Sequence, residues 1–211
     1  NALAHYVKLY NSVIQDLMLN FLKRLSKSGA EPVTYDMPED EVLYGIGDVH
    51  GCYRAMTDLL EKIKADRELR PETKSTVVFL GDLMDRGPAS REVIEFLMSY
   101  NPDWTEVKFL RGNHEEVMLD VLSGNLSAMR SWFEFGGKDC ARSYGVDNFG
   151  QLHINPDSVM MALQRSIPQD HLDFLDSFSD SFAFGDYLLV HAGIKPRVAI
   201  ADQTPHDMRW I

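Results

Sequence analysis

Cysteine is scarce in this chain. Only Cys52 and Cys140 occur among 211 residues, and they lie far apart, outside any spacing used for metal ligands. Two cysteines are too few for a scaffold stabilised by several disulfides or for a structural zinc site with thiolate ligands. They are most simply two reduced thiols, as expected in a reducing compartment. We therefore expect a cytoplasmic protein.

Long apolar runs are also missing. The apolar stretch near the start is interrupted by Gln15, Asp16 and Asn20. No run approaches the roughly 20 apolar residues that cross a bilayer as a helix. This pattern argues against a transmembrane segment and supports the cytoplasmic assignment.

Basic residues are outnumbered by acidic ones. Lys and Arg total 21 against 32 Asp and Glu, which gives a formal net charge of -11. Proteins that hold a nucleic-acid backbone rely on Lys and Arg to displace its counterions. The charge balance therefore argues against a nucleic-acid partner, while an acidic surface around a cation site is physically reasonable.

Apolar residues recur at helical spacing between residues 3 and 25, ahead of a linker rich in Pro and acidic residues. This spacing predicts an amphipathic helix, and we assign residues 1–40 to the helix and its linker. Basic residues such as Lys23 and Arg24 make the helix a candidate for self-association, partner docking or peripheral membrane contact. Packing on the domain or on a second copy is the favoured role.

The remaining residues, 41–211, alternate short apolar runs with helical segments. This alternation predicts an α/β domain whose largely parallel sheet is covered by helices. A second helical stretch is expected over about residues 127–176. The predicted strands are residues 42–46, 76–80, 107–110 and 187–190. One helix is predicted after each of the first three strands, at residues 53–64, 90–100 and 115–122.

Each predicted strand is followed by side chains that can bind a metal ion. The four motifs are Gly-Asp-Val-His-Gly at 47–51, Gly-Asp-Leu-Met-Asp-Arg-Gly at 81–87, Gly-Asn-His-Glu at 112–115 and His-Ala-Gly at 191–193. Because the carboxyl ends of neighbouring parallel strands lie side by side, these motifs converge on one crevice. Carboxylate, imidazole and amide donors without thiolate suit manganese, iron or zinc better than calcium. One such motif is weak support for a metal site, but four in this order are strong support.

In this order the motifs resemble the phosphoprotein-phosphatase branch of the metallophosphoesterases, to which calcineurin and bacteriophage lambda phosphatase belong. The resemblance, closest to bacterial members, runs from about residue 42 to the end of the chain. It implies a calcineurin-like α/β fold, with helices around a central mixed β-sandwich. It also implies two divalent metal ions, with Mn²⁺ expected and iron or zinc as alternatives.

The resemblance implies a metal-binding role for five motif residues. Asp48, His50 and Asp82 would bind one cation. Asp82 would also bridge to a second cation, held by Asn113 and His191. A hydroxide between the two cations would be the nucleophile, because paired cations lower the pKa of bound water.

The other motif residues would handle the phosphate and a proton. Arg86 would grip phosphoryl oxygens through its forked guanidinium, with Asn113 and His114 as further phosphate contacts. His114 would protonate the leaving oxygen, with Asp85 hydrogen-bonded behind it. Glu115 is expected to be structural, because the start of a helix favours an acidic residue.

These roles imply a metal-dependent phosphomonoester hydrolase. The leading hypothesis is a serine/threonine or dual-specificity protein phosphatase that acts on a phosphorylated protein or peptide. Enzymes that cleave symmetric diadenosine tetraphosphate share the first and last motifs, but they typically lack an Asp at the position of Asp85 and have Asp in place of Glu115. A diadenosine polyphosphate hydrolase is therefore the alternative. A non-catalytic binding module is the third hypothesis.

The sequence departs from the family pattern after the fourth motif. Family members usually have a Trp-x-Arg whose Arg clamps phosphate, and later a Gly-His-Thr-Pro whose His completes the second cation site. The chain reaches Ile211 before either residue. We therefore expect a truncated form of a longer enzyme or, if this is the whole molecule, weak second-cation binding and low turnover. Histidines outside the motifs, such as His171 and His206, are expected at the surface or at helix caps.

Overall fold

The structure is a computed structural model that describes residues 35–71 and 73–210. The predicted N-terminal helix and the first four residues of its linker, 31–34, lie outside the described residues. From Met37 onward the chain forms one unit. It contains the alternating strands and helices that the apolar pattern predicts.

Three parallel strands form the central sheet. In chain order and in order across the sheet they are β1 (Glu41–Ile46), β2 (Lys74–Phe79) and β3 (Glu106–Phe109). All of β2 except its first residue is buried, as expected for a central strand covered on both faces. Because Ile46 pairs with Phe79, and Phe79 with Phe109, the three strands end at the same edge.

A two-stranded antiparallel sheet contains the fourth predicted strand. It consists of β4 (Ser181–Phe184) and β5 (Tyr187–Val190). β4 is absent from the predicted strands, although two apolar runs separated by Gly-Asp are a hairpin signal. Gly185 in this turn has φ 57°, a left-handed conformation that glycine adopts without strain.

Helices follow each strand of the parallel sheet and then form a helical block. The first three are α1 (Tyr53–Glu68), α2 (Ser90–Ser99) and α3 (Asn113–Leu122). The block consists of α4 (Leu126–Trp132), a π-helical turn (Phe133–Gly137), α5 (Lys138–Ser143), a 3-10 turn (Phe149–Gln151), α6 (Pro156–Ser166) and α7 (Gln169–Asp176). A 3-10 turn (Ile200–Asp202) and α8 (Pro205–Trp210) follow β5. Within the described part of the chain, no helix is long and apolar enough to span a membrane.

The core joins the sheet to the apolar faces of the helices. Phe109 stacks on Phe79 at a centroid distance of 5.3 Å and on Phe178 at 5.1 Å. Met56 and Leu60 are buried on one face of α1, as a four-residue spacing requires. Each fully buried apolar side chain of this size contributes about 1.5–3 kcal/mol to stability. The predicted α/β class is confirmed.

Candidate active site

The first two motif loops are joined by backbone hydrogen bonds beyond the ends of β1 and β2. The N–H groups of Val49 and His50 donate to the carbonyl oxygen of Asp82 at 3.0 and 2.9 Å. The N–H of Gly51 donates to the carbonyl oxygen of Leu83 at 2.9 Å. These bonds bring the first two motifs together at one edge of the sheet, as the strand pattern predicts.

Glu115 ties the second loop to the third. Its fully buried carboxylate accepts hydrogen bonds from the backbone N–H groups of Asp82 at 2.9 Å, Leu83 at 2.8 Å and Gly112 at 2.8 Å. Burial and the Asp82 carboxylate raise the pKa of Glu115, while the three N–H donors oppose that rise. A Cβ on Gly112 would overlap Oδ1 of Asp82. Glu115 and Gly112 therefore set how closely the two loops approach.

Four motif residues adopt left-handed backbone conformations. The φ angles are 44° for His50, 54° for Asp82, 69° for Asp85 and 64° for Arg86. For residues other than glycine this conformation costs on the order of 1–2 kcal/mol each, so the surrounding structure must hold it. The hydrogen bonds between the loops do so.

Three site histidines have Nδ1 hydrogen-bonded to an oxygen that can only accept. The oxygens are the carbonyl of Met84 for His50 at 2.9 Å, the carbonyl of Leu80 for His191 at 2.7 Å, and the carboxylate of Asp85 for His114 at 2.6 Å. Each Nδ1 therefore carries a proton, and in the neutral ring Nε2 keeps its lone pair. This tautomer suits a metal ligand at His50 and His191.

The carboxylate of Asp82 lies between two groups of candidate ligands. Its Oδ2 is 3.9 Å from Nε2 of both His50 and His114, and its Oδ1 is 3.5 Å from Nε2 of His191. Among the His, Cys, Asp and Glu side chains of residues 35–71 and 73–210, two metal-compatible groups share Asp82. One group adds His50 and His114, and the other adds Asp48 and His191. A carboxylate whose two oxygens face different groups suits a bridge between two cations.

The donor atoms fit a pair of divalent cations. Oδ1 of Asn113 is buried and has no hydrogen-bond partner among the described residues, which is costly for an amide oxygen unless a cation or water binds it. The exposed carboxylate of Asp48 is 3.5 Å from Nε2 of His50. The structure also brings Asp48 within reach of His191.

The guanidinium of Arg86 spans two of the histidines. Nη1 lies 2.9 Å from Nε2 of His50, and Nη2 lies 3.2 Å from Nε2 of His114. The backbone N–H of Arg86 donates to the carbonyl oxygen of Gly136 at 3.1 Å. An exposed, forked cation is thus held at the rim of the candidate metal site.

His114 and Asp85 form a buried pair, with exposures of 5% and 0%. Burial lowers the pKa of His114, but the hydrogen bond to Asp85 and the charges of Asp82 and Asp85 outweigh burial and raise it. Trp132 donates from Nε1 to the same Asp85 oxygen at 2.7 Å. The sequence alone does not reveal this role of Trp132, because an aromatic residue in a helical stretch is ordinarily a core residue.

Comparison with known proteins gives the family. Residues 42–210 match the family model described as calcineurin-like phosphoesterase. The chain is 32% identical over 155 residues to a symmetrical bis(5'-nucleosyl)-tetraphosphatase of Methylococcus capsulatus, an alignment that covers 73% of this chain and 44% of that protein. It is 29% identical over 158 residues to the enzyme of the same name from Nitrosospira multiformis, with coverages of 75% and 46%. The chain thus spans less than half the length of these curated relatives.

A solved structure shows a weaker likeness. A crystal structure described as a candidate diadenosine tetraphosphatase has a TM-score of 0.49 and 20% sequence identity. The match covers 77% of this chain and 55% of that one.

These comparisons correct one prediction. The curated relatives are named for a bis(5'-nucleosyl) tetraphosphate substrate and not for a protein phosphatase, so the predicted phosphorylated protein or peptide partner is wrong. The metallophosphoesterase class and the calcineurin-like fold implied by the motifs are confirmed. The chain belongs to the calcineurin-like phosphoesterase family.

Proposed function

We propose that this protein hydrolyses a bis(5'-nucleosyl) tetraphosphate at its central anhydride and releases two nucleoside diphosphates. The observation that carries the proposal is the 32% identity, over 73% of this chain, to a symmetrical bis(5'-nucleosyl)-tetraphosphatase. The site geometry supports a reaction of this type, because cation ligands, a forked cation and a buried proton donor meet within one crevice.

The two metal ions would be held by the predicted ligands Asp48, His50, Asp82, Asn113 and His191. When bound, they would activate water and neutralise charge on the reacting phosphate. We propose Mn²⁺ as the resident ion, because carboxylate, imidazole and amide donors suit it. Iron and zinc suit the same donors, so metal analysis of the purified protein identifies the ion.

Arg86 would orient the tetraphosphate. Its guanidinium faces Nε2 of His50 and of His114, so it lies between the candidate metal ligands and the proton donor. A guanidinium can contact two phosphoryl oxygens of one group at once, which fixes the direction of the phosphate chain as well as binding it. Asn113 and His114 are the other proposed phosphate contacts.

His114 would supply the proton. Water gives one proton to solvent as its oxygen forms a bond to phosphorus, the bridging P–O bond breaks, and the Nε2 proton of His114 passes to the leaving oxygen. The ring is then reprotonated from solvent. Asp85 holds Nδ1 and stabilises the protonated ring before this transfer. A nucleoside diphosphate is a weakly basic leaving group, so this proton contributes less than it would for an alcohol.

Product analysis tests the proposal directly. The Mn²⁺-supplemented protein is incubated with diadenosine tetraphosphate, and the products are separated by ion-exchange chromatography. Two ADP are expected. Release of AMP and ATP would refute cleavage at the central anhydride. Turnover of p-nitrophenyl phosphate without turnover of the dinucleotide would refute the substrate class. Asp82→Asn, prepared in parallel, controls for a contaminating phosphatase.

A further inference from the structure

An aromatic cavity opens beside the proposed phosphate contacts. It has a volume of about 140 Å³, and Arg86, Asn113 and His114 line one part of it. The remaining lining residues are apolar or aromatic: Val117, Trp132, Phe135 and Trp210. The cavity therefore combines a cationic, hydrogen-bonding wall with an aromatic wall, and the first of these belongs to the candidate active site.

Two of the aromatic side chains are exposed at this cavity. Phe135 is 65% exposed and Trp210 is 45% exposed, whereas Trp132 is 1% exposed. Trp132 belongs to the hydrophobic core, whereas Phe135 and Trp210 keep much of their ring surface exposed to solvent. Exposed aromatic groups beside convergent polar groups are typical of a ligand site.

Both exposed rings are held by elements that also contact the active site. Phe135 lies in the π-helical turn Phe133–Gly137, whose Gly136 carbonyl accepts from the backbone N–H of Arg86 at 3.1 Å. Gly136 in this turn has φ 114°, so the turn is kinked and is not a regular helix. Phe135 is thus presented by a turn attached to the proposed phosphate clamp.

Trp210 is attached to α3, which begins with Asn113 and His114. Its Nε1 donates to the Glu116 carboxylate at 2.9 Å. The Arg209 guanidinium lies 3.3 Å from the same carboxylate and also bonds to Asp180. These contacts hold the indole at the cavity, so binding a flat ring there would require little further ordering.

We propose that this cavity is a nucleobase subsite, which binds one base of the substrate while the phosphates lie on Arg86 and the metal site. This inference rests on the proposed function, and it adds Phe135 and Trp210 as residues that set substrate preference. A cavity of roughly 150 Å³ lined by apolar side chains accommodates benzene, so this volume, open to solvent, suits one flat ring system. Stacking on aromatic side chains tolerates any base, because every base has a π face.

Binding of products tests the subsite independently of turnover. Calorimetric titration of the Mn²⁺-supplemented protein compares ADP with inorganic diphosphate, which has the same phosphates without the base. We expect tighter binding of ADP to the unmodified protein. Phe135→Ala should weaken ADP binding by roughly 5- to 100-fold, as loss of one base-stacking contact does. It should change the affinity for diphosphate by much less.

Two further variants control this comparison. Phe135→Tyr retains a ring and should keep the preference for ADP. Ile154→Ala removes an apolar side chain that is 78% exposed and does not line the cavity, so it should leave both affinities unchanged. If Phe135→Ala does not fold, Trp210→Ala provides a second test of the aromatic wall and should weaken binding of ADP more than binding of diphosphate.

The outcomes separate the subsite from the proposed function. ADP binding no tighter than diphosphate binding, or equal weakening of both ligands by Phe135→Ala, would overturn the subsite even if the dinucleotide is cleaved. A base-dependent preference that is lost in Phe135→Ala would support the subsite even if chromatography shows no cleavage of diadenosine tetraphosphate.

Discussion

Nε1 of Trp132 donates a hydrogen bond to Oδ2 of Asp85 at 2.7 Å, and the same oxygen accepts from Nδ1 of His114 at 2.6 Å. Asp85 is fully buried, so these two donors provide most of the stabilisation that its charge receives. The indole therefore helps to determine which way the carboxylate faces, and through it the orientation of the His114 ring.

Trp132→Phe tests this positioning role. The change keeps an aromatic ring in the core but removes the N–H donor, and a hydrogen bond to a charged group contributes about 1.5–3 kcal/mol. We expect kcat to fall roughly 10-fold, with KM and metal content nearly unchanged and the pH–rate profile shifted. Trp104→Phe, away from the site, is the matched control. An unchanged pH profile together with a loss of stability alone would show that Trp132 is only a core residue.

His114→Asn removes the proposed proton donor. Loss of general acid catalysis should lower kcat by about 10²–10⁴ for a substrate with a strongly basic leaving group, and by less for a nucleoside diphosphate. Metal analysis by mass spectrometry should find both ions retained, because His114 is not a proposed ligand. Loss of an ion along with activity would make His114 a metal ligand instead.

Asp82→Asn removes the proposed bridging carboxylate. Each oxygen of Asp82 faces a different group of ligands, so both cations should be lost. Metal content measured after gel filtration should approach that of the protein treated with chelator. The exposed Asp58→Asn on α1 serves as the control. If one ion stays at full occupancy, the bridging assignment is wrong.

Gly136→Ala should displace Arg86, because the added Cβ would overlap it. Gly136 has φ 114°, and an added Cβ would lie 2.6 Å from Cγ and 2.9 Å from the backbone nitrogen of Arg86. Gly124→Ala is a close control, because Gly124 has φ 108° and no atom of the described residues lies within 4 Å of its added Cβ. Both variants carry a backbone penalty of about 1 kcal/mol.

The difference between these two glycine variants isolates the contact with Arg86. We expect Gly136→Ala to lose more unfolding free energy in urea than Gly124→Ala, and only Gly136→Ala to raise KM for a phosphate substrate. Equal KM values in the two variants would contradict a role for the π-helical turn in positioning Arg86.

The buried His171 predicts a dependence of stability on pH. The sequence-based expectation of a surface or capping position for this residue is wrong: His171 is 4% exposed, and its Nδ1 lies 2.9 Å from the hydroxyl of Tyr144. Burial lowers its pKa, with Arg91 also lowering it and the charges of Asp170 and Glu95 opposing. Protonation therefore favours the unfolded chain.

The sign of the pH effect follows from this shift. The contribution of His171 is fully present above its unfolded pKa of about 6.5 and is lost as pH falls toward the lower folded value. Urea unfolding in the presence of chelator should show the free energy of unfolding decreasing over that window. His171→Gln should flatten the slope, whereas the exposed His153→Gln should not. If the free energy of unfolding changes with pH by the same amount in all three proteins, His171 is not the cause of the pH dependence.

Local sequence patterns determined the α/β class and the places where the site residues gather. Strand and helix periodicity identifies elements because burial repeats within a few residues, and parallel strands oblige the motifs containing Asp48, Asp82 and Asn113 to meet at one edge. The same reasoning does not predict β4. The sequence feature that indicates this strand is the hairpin turn at Gly185, and not an apolar periodicity. It also did not determine the substrate. Asp85 would serve proton transfer and Glu115 holds two loops together, and enzymes for different phosphate compounds need both.

Only the tertiary structure decided which atoms meet within the site. The bonds from His191 to Leu80 and from Trp132 to Asp85 join positions far apart in the chain, and no periodicity encodes them. Hydrogen bonds of this kind depend on packing that brings distant backbone and side-chain groups within about 3 Å, so their partners emerge only when the elements are assembled. The aromatic cavity at Phe135 and Trp210 has the same origin, because separate elements create it by lying side by side.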